Sequence, residues 1–465
     1  MAENSKIFKV LICDHIGLKL GADGKPDPSE VRQHIEKGGG FFHVGAADEH
    51  EKIEPDKIHF FYLPRLSTAD EILHLTSNDQ YDAVIAAATF IPAKAKFALG
   101  GVRIGAGTGN MGAECWGGGN GIGGIAPLMN TPSFNSRATA QMTMKALLHF
   151  LPDLPFEKLH QLCAEGNFDT GKNLAAYPTE KLEGKIIAIL GYGNIGRELA
   201  LLARSFGLII RIYARPKHKS WIESEGFIYA STPHEAAENA NILSVHTGLG
   251  PHEASTGKFA NQNLVNAEVL GKMAEGSMLL NFDRGECVDT SDLAQAMQRH
   301  HIRYAAIDAD LFKSTEGKLS GPLLPYLPLA KKFGARILLL PHAAVDTCHT
   351  SRVEGAKQAV DQIIACILNK QVTNLKGDLP EGYANAGSHT VKGVGKVSAH
   401  RMSAVLNNPT DHAAMTSSLQ NMIKHWTAIA TDNPNSQAEL LRALNLHTTL
   451  LRELGLIGAF VRPDT

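Results

Sequence analysis

The sequence predicts an α/β fold of two doubly wound parallel sheets, followed by a mainly helical C-terminal extension. Short apolar runs alternate with helical patterns almost throughout the chain, as they do in successive βαβ units. These runs form two blocks, the first over about residues 1–130 and the second from a helix-like stretch at 136–150 to about Pro341. With 465 residues, 44% of them hydrophobic, the chain can bury the cores of two or three domains.

Nine segments are the clearest strand candidates, because their apolar runs are unbroken, as in strands covered on both faces. They are 8–13, 82–88, 102–107, 185–190, 208–213, 241–245, 277–282, 304–309 and 336–341. The composition changes beyond Lys376: residues 377–399 are rich in glycine and short polar residues, and 437–457 has leucines at three- and four-residue spacing. Over 376–465 we therefore expect a linker and a helical element for oligomerisation or docking.

Composition excludes several classes of function. The net charge is −2, from 45 Lys and Arg against 47 Asp and Glu, which gives no electrostatic reason to expect nucleic acid or a membrane as partner. The six cysteines form no CxxC pair and the 21 histidines no HExxH motif, so we expect reduced thiols and no metal site. The chain has no signal-peptide pattern and no apolar run of 18 residues, so the expected location is the cytoplasm.

A glycine-rich turn, GYGNIG at 191–196, directly follows the strand candidate 185–190 and leads into a helix pattern. In this strand-to-helix context the GxGxxG spacing predicts a dinucleotide site. Gly191 permits the tight turn, Gly193 lets the backbone approach a diphosphate, and Gly196 lets helix and strand pack closely. The amides at the helix start favour the anion.

The end of the second strand indicates which dinucleotide binds. An acidic residue normally stands there and binds the ribose hydroxyls. Here that position is Ala214, and Arg215 follows it. A carboxylate would repel a 2′-phosphate, whereas a guanidinium can bind one in bidentate fashion. The sequence therefore favours NADP as cofactor, with NAD bound without its usual acid as the alternative.

Two further strand ends predict the chemistry. Arg284 follows the strand candidate 277–282, and His342 follows 336–341. Side chains at the carboxyl ends of parallel strands face the ligand crevice. There an arginine can pair with a substrate carboxylate, and a histidine can donate or remove a proton at a carbonyl oxygen.

In combination these segments resemble the D-isomer-specific 2-hydroxyacid dehydrogenase family, and its D-3-phosphoglycerate dehydrogenase branch in particular. The resemblance covers about residues 80–372. It is carried by IGAGTGN (104–110), NTPSFNSRATAQ (130–141), GYGNIG (191–196), SVHTGL (244–249), NFDRGECVD (281–289), AAIDAD (305–310) and PHAAVDT (341–347).

The resemblance implies an NAD(P)-dependent enzyme that transfers a hydride between a nicotinamide and a D-2-hydroxy or 2-keto acid, with 3-phosphoglycerate-like acids among the candidates. The expected domains are a substrate-binding domain over 1–131, completed by 345–375, and a Rossmann domain over 132–344. The reaction would take place in the cleft between them. The expected partners are this small acid and further copies of the chain, as a dimer or tetramer.

The resemblance also implies roles for individual residues. Arg284 would hold the carboxylate and keto oxygen of the substrate, and His342 would be the acid/base. Asn194 and Ile195 would contact the pyrophosphate. Asp308 would lie near the nicotinamide, which would be lined by Phe282, Asp283, His342, Ala343 and Ala344. Arg284 would also be among the cofactor-binding residues.

This chain departs from the family's pattern near the histidine. The family pairs that histidine with a glutamate five residues after the aspartate of the IDA-type segment, and here the position is Lys313. We expect Glu316 to be the partner of His342, with Asp310 as the alternative. A further departure is Gly109, which stands where the family usually has an aspartate.

The loop after the strand candidate 82–88 also departs, because the phosphoglycerate branch has arginine there. This chain has Ala87, Ala88 and Thr89, whose backbone amides we expect to hold a substrate carboxylate together with Arg284. The alternative to an enzyme is a catalytically weak, NAD(P)-sensing binding protein of the same fold. The missing glutamate and the C-terminal extension favour that alternative, whereas the retained Arg284 and His342 favour the enzyme.

Overall fold

The computed structural model describes most of the chain up to residue 388. The described residues are 6–50, 53–66, 68–77, 80–117, 123–151, 155–250, 252–253, 257–313, 317–342 and 348–388, with 396–397, 413, 417, 420, 424 and 460–461. Within them the chain forms two seven-stranded sheets, in agreement with the predicted fold class.

The first sheet is built mainly from the N-terminal part of the chain. Its six parallel strands pair in the order β2-β3-β1-β4-β5-β6. They are β1 (Phe8–Cys13), β2 (Phe41–Val44), β3 (Ile58–Leu63), β4 (Ala83–Ala86), β5 (Gly100–Arg103) and β6 (Leu128–Asn130). Helices α1 (Ser29–Lys37) and α2 (Ala69–Thr76) connect strands of this sheet. A capping box between Thr68 and Glu71 begins α2.

The second sheet is parallel throughout and has the strand order β9-β8-β7-β10-β13-β14-β17 of a Rossmann fold. Two short hairpins, β11–β12 and β15–β16, lie outside it. The strands are β7 (Ile186–Leu190), β8 (Ile209–Tyr213), β9 (Ile228–Ala230), β10 (Ile242–Val245), β11 (His252–Glu253), β12 (Lys258–Phe259), β13 (Ser277–Asn281), β14 (Ile302–Asp308), β15 (Phe312–Lys313), β16 (Leu319–Ser320) and β17 (Ile337–Leu340).

Helices precede and connect these strands. They are α3 (Pro132–Phe150), α4 (Phe156–Ala164), α5 (Thr170–Asn173), α6 (Asn194–Ser205), α7 (Lys219–Ser224), α8 (Pro233–Ala237), α9 (Ala267–Lys272), α10 (Thr290–Gln298) and α11 (Leu327–Phe333). The helix after the glycine loop shows why such segments fold: in α6, Leu199, Ala200 and Ala203 recur on one face and are fully buried. This face holds the start of α6 against the sheet.

Apolar residues cover each sheet on both faces, which explains the unbroken runs in the sequence. In β7, Ile187 and Ile189 belong to one core cluster, whereas Ala188 and Leu190 belong to the cluster on the other face. The nine predicted strands are all present, with bounds within four residues of the prediction. Strands β2, β3, β6 and β9 were not predicted.

The chain returns to the first sheet after β17. Helix α12 (His349–Asn369) packs on that sheet through residues such as Ala359 and Ile363. Three strands follow, β18 (Gln371–Thr373), β19 (Leu375–Lys376) and β20 (Ala384–Gly387). β19 joins the edge strand β6 in antiparallel fashion, and β20 pairs with β18. The structure thus has strands at 376 and 384–387, where the sequence predicted a linker.

Only parts of the predicted helical extension are described. Residues 413, 417, 420 and 424 are helical, and β21 (Lys396–Val397) pairs with β22 (Phe460–Val461). The leucine pattern at 437–457 lies outside the described residues. Among the described helices, none combines the length and the apolar character that crossing a membrane would require. The described residues also contain no group of three or more His, Cys, Asp or Glu that could hold a metal ion.

Candidate active site

Residues of both sheets meet at the carboxyl ends of their strands. Arg284, which follows β13, lies against Gly109 of the first domain, where an added Cβ would overlap its guanidinium. This contact explains why the chain has glycine at a position where the resemblance leads one to expect aspartate. Arg103, the last residue of β5, lies close enough to His342 for its charge to lower the pKa of that histidine. The cleft between the sheets therefore brings Arg284, His342 and Arg103 together.

His342 is held by the strand next to its own. It follows β17, has a left-handed backbone (φ 55°), and its Nδ1 lies 3.4 Å from Oδ2 of Asp308. Asp308 ends the neighbouring β14 and is only 1% exposed. Burial lowers the pKa of His342, but the hydrogen bond and charge of Asp308 and the charge of Asp310 together raise it by more. The net pKa shift is upward, so the imidazole keeps its proton to higher pH.

Of the two acids predicted as partners of His342, the structure describes Asp310. Glu316 lies outside the described residues, as do Ala343 and Ala344. Oδ2 of Asp310 lies 3.4 Å from Nη1 of Arg284. The charge of Asp310 also raises the pKa of His342. Within the described part of the chain, the carboxylate in contact with His342 is that of Asp308, to which the sequence analysis had given a place beside the nicotinamide.

Arg284 is positioned by its immediate neighbours. The carboxylate of Asp283 accepts hydrogen bonds from the Gly248 and Arg284 amides, and burial raises its pKa. Phe282 is 1% exposed and packs in the core beneath the sheet. Asp283 and Phe282, both predicted to line the nicotinamide, therefore support the strand end from within. The Arg284 side chain is 24% exposed and remains accessible to a ligand.

Arg103 was not predicted. Its Nε donates to the Ala87 carbonyl at 3.0 Å, and its Nη1 donates to the Gly107 carbonyl at 3.2 Å. Gly105, with φ 150°, leaves room for the guanidinium, which an added Cβ would overlap. One feature of the sequence could have identified Arg103: it is a cation within an otherwise apolar strand candidate. A charged residue is rarely buried in a strand without a partner.

The loop after β4, which we predicted to hold a substrate carboxylate, contacts Asp14 of the protein. Asp14, whose backbone is left-handed (φ 70°), accepts hydrogen bonds from the Ala87 amide at 2.9 Å and the Thr89 amide at 3.0 Å. It also accepts one from the Thr89 hydroxyl at 2.6 Å. The backbone amides of Ala87, Ala88 and Thr89 were predicted to hold a substrate carboxylate. Those of Ala87 and Thr89 already bind a carboxylate of the protein. Arg103, which donates to the Ala87 carbonyl of this loop, lies near enough to His342 for its charge to lower the pKa of that histidine.

A cavity of about 680 Å³ lies over the glycine loop, a size that suits a cofactor. Gly191 has φ 106°, and a Cβ there would overlap the His246 carbonyl. A Cβ at Gly196 would overlap the Gly191 carbonyl, so these two glycines shape the turn. Gly193 faces open space, where no protein atom excludes a side chain. The residues present thus fit a dinucleotide whose diphosphate approaches the backbone at Gly193.

The residues that line this cavity include cations as well as the glycine loop. Arg215 is exposed, and its Nη2 lies 3.3 Å from Nε2 of His218. Ala214 is buried beside it, and Asn194 contributes to the wall near the glycine loop. The wall is formed by Gly191, Tyr192, Gly193, Asn194, Tyr213, Ala214, Arg215, His218, Trp221, His246, Thr247, Gly250, Ala260, Asn261, Lys376 and Ser388. Ile195 and Gly196 lie behind it, at the start of α6.

Comparison with known proteins agrees with this geometry. Residues 154–344 match the family model described as "D-isomer specific 2-hydroxyacid dehydrogenase, NAD binding domain". The D-3-phosphoglycerate dehydrogenase of Bacillus subtilis is 28% identical over 181 residues, which are 39% of this chain and 32% of that protein. The hydroxypyruvate reductase of Blautia hydrogenotrophica is 25% identical over 200 residues, 43% of this chain and 58% of that one. The matched part thus spans a third to three fifths of these relatives.

Solved structures extend the likeness of fold to both domains. An acyclic imino acid reductase in complex with NADPH and D-Arg has a TM-score of 0.53 at 15% identity, covering 79% of this chain and all of that one. An NADPH-dependent glyoxylate/hydroxypyruvate reductase of Sinorhizobium meliloti has a TM-score of 0.50 at 20% identity, covering 80% and 98%. Residues 154–344, which hold the glycine loop, Arg284 and His342, are thus similar to the NAD binding domain of the D-isomer specific 2-hydroxyacid dehydrogenase family.

Proposed function

We propose that this protein is an NADP-preferring oxidoreductase that interconverts a 2-keto acid and a D-2-hydroxy acid. The proposal rests on the positions of Arg284 and His342, which follow β13 and β17. The intervening strand β14 and the residues directly after it supply one acid to each of them. Asp308 contacts the imidazole, and Asp310 contacts the guanidinium. The two groups needed to orient a 2-keto acid and to protonate its oxygen thus face one cleft.

Each residue has a defined task in this reaction. The nicotinamide, when bound, supplies the hydride for reduction or accepts it in oxidation. Arg284 pairs with the carboxylate of the acid and orients its keto group. His342, protonated through its contact with Asp308, donates a proton to the keto oxygen during reduction and removes it in the reverse direction. Arg103 adds a second positive charge on the opposite side of the cleft.

The preference for NADP rests on the end of β8. Ala214 provides no carboxylate there, and Arg215 together with His218 offers nitrogen donors to a 2′-phosphate. The substrate class rests on the cleft: Arg284 and Arg103 suit one or two anionic groups. The relatives' names include both a phosphorylated and an unphosphorylated acid, so both belong in the substrate panel.

The test is oxidation of NADPH and NADH in the presence of phosphorylated and unphosphorylated 2-keto acids, followed at 340 nm. We expect turnover with NADPH at a lower KM than with NADH. In Arg215→Asp, the ratio of NADH to NADPH affinity should rise by about ten- to a hundredfold, because a charge-assisted hydrogen bond is replaced by repulsion. Lys217→Asp, which changes the charge of an exposed neighbour, is the matched control.

Two results would contradict parts of this proposal. An unchanged affinity ratio in Arg215→Asp would remove the 2′-phosphate from that site. Tight dinucleotide binding without turnover of any acid in the panel would instead support the sensing protein, in which the fold binds NADP(H) and signals to partners.

A further inference from the structure

Lys376 reaches the dinucleotide cavity from the other domain. It is the second residue of β19 and pairs with Leu128 of β6, at the edge of the first sheet. Lys376 nevertheless lines the cavity that the glycine loop of the Rossmann domain also lines. Ser388 stands beside it on that wall, and the Ser388 hydroxyl donates to Oδ1 of Asn374 at 3.0 Å.

The Lys376 ammonium has no acidic partner among the described residues. Burial lowers its pKa, and no charge in the described part of the chain counters this effect. A half-buried cation without a counter-ion is unfavourable in the free protein, and an anion bound beside it would relieve that cost. The position and the chemistry of this side chain therefore both indicate an anionic ligand in the cavity.

Among the described residues, the first cation that follows the glycine loop in the sequence is already bound to an acid of its own domain. Arg197, in the first turn of α6, is bound by Glu225, with 2.7 Å between Nη2 and Oε1. The two side chains are only 11% and 5% exposed, so this pair is closed to a ligand. Arg215, which follows β8, lines the same cavity beside His218. The two charges of a diphosphate would thus meet backbone amides and a helix N-terminus alone, unless Lys376 contributes.

We infer that Lys376 binds the diphosphate of the dinucleotide, opposite the backbone at Gly193, and so links the first domain to the cofactor. This inference rests on the proposed dinucleotide function. It assigns the two phosphate-bearing parts of the dinucleotide to different cations, the 2′-phosphate to Arg215 and the diphosphate to Lys376. It also makes the β19 segment, which follows α12, a part of the cofactor site.

The test is dinucleotide binding by Lys376→Met, which keeps the length of the side chain and removes its charge. Dissociation constants are measured by calorimetry for NADPH, NADH, ADP-ribose and adenosine 2′-monophosphate. We expect affinity for the first three to fall by about ten- to a hundredfold, because all three carry the diphosphate, and that for adenosine 2′-monophosphate to stay the same. Lys376→Arg should restore most of the lost affinity. Lys272→Met, at the exposed end of α9, is the matched control.

A measurement on the unaltered protein removes any dependence on how the variant folds. Bound NADH should protect Lys376 from an amine-reactive reagent, as read by peptide mass mapping, whereas adenosine 2′-monophosphate should not. Equal labelling with and without NADH would overturn the inference, as would unchanged affinity for ADP-ribose in a folded Lys376→Met. Weakened binding of NADPH alone would overturn it as well, since Lys376 would then serve the 2′-phosphate. If the unaltered protein bound none of these nucleotides, the proposed function would fall together with the inference.

Discussion

The contact between His342 and Asp308 decides how the proposed reaction depends on pH. Asp308 raises the pKa of His342 above its ordinary value, despite the opposing effect of burial. Reduction needs the protonated imidazole, so activity should fall as pH rises through this raised pKa. In Asp308→Asn the pKa of His342 should drop, and the fall in kcat/KM for keto-acid reduction should move to lower pH by about one unit or more. The measurement is a pH profile with NADPH as the reductant.

Two companion variants show whether Asp308 is the partner that matters. Asp310→Asn should shift the profile less and should raise KM for the acid, because Asp310 contacts Arg284. Glu316→Gln should leave the profile where it is. A profile that moves in Glu316→Gln and stays fixed in Asp308→Asn would make Glu316 the partner and reduce Asp308 to a structural role.

A buried histidine directly after β10 should make the stability of the Rossmann domain sensitive to acid. Burial lowers the pKa of His246 to about 3, and its Nε2 lies 2.8 Å from the Ser244 hydroxyl. Below pH 6.5 the unfolded chain takes up a proton there that the folded chain does not. Folding stability from this group is therefore complete above about pH 6.5 and is lost as pH falls toward 3, by up to about 1.4 kcal/mol per pH unit.

We expect the free energy of unfolding to depend less steeply on pH in His246→Asn than in the unaltered protein. From pH 7.5 to pH 5, the free energy of unfolding in urea should fall by about 2 kcal/mol less in His246→Asn than in the unaltered protein. Because only the change in the free energy of unfolding with pH is compared, the test also works if His246→Asn is less stable than the unaltered protein at neutral pH. The same substitution at the exposed His160 is the control. Parallel curves for His246→Asn and the unaltered protein would show that His246 is not the group responsible.

The elements also explain which parts of the site the sequence could predict. The glycine loop, Arg284 and His342 are each recognisable from the strand that precedes them, so local patterns sufficed. Arg103 and Asp14 depend on which strands are neighbours, because they act on the loop after β4 from β5 and β1. That strand order is a property of the folded sheet, and no motif in the sequence specifies it.

Contacts between the two domains are even harder to predict from the sequence. Gly109 is explained only by the guanidinium of Arg284, about 175 residues later in the sequence. Lys376 follows α12 in a stretch that is rich in glycine, and its role depends on the pairing of β19 with β6. Contacts of such long sequence separation arise only when both domains have folded and packed against each other.

For the whole molecule, the segment 371–388 should therefore be part of the fold and of the cofactor site. Val372 is fully buried in the core beneath α12, and β19 extends the first sheet. A chain that ends at Lys370 should be less stable than one that ends at Ser388 by about 2 kcal/mol or more, roughly the value of one buried valine and its strand pairing. It should also bind NADH more weakly, because Lys376 is lost. Urea unfolding and calorimetry on the two chains test both expectations, and equal midpoints would show that the sheet is complete without β19.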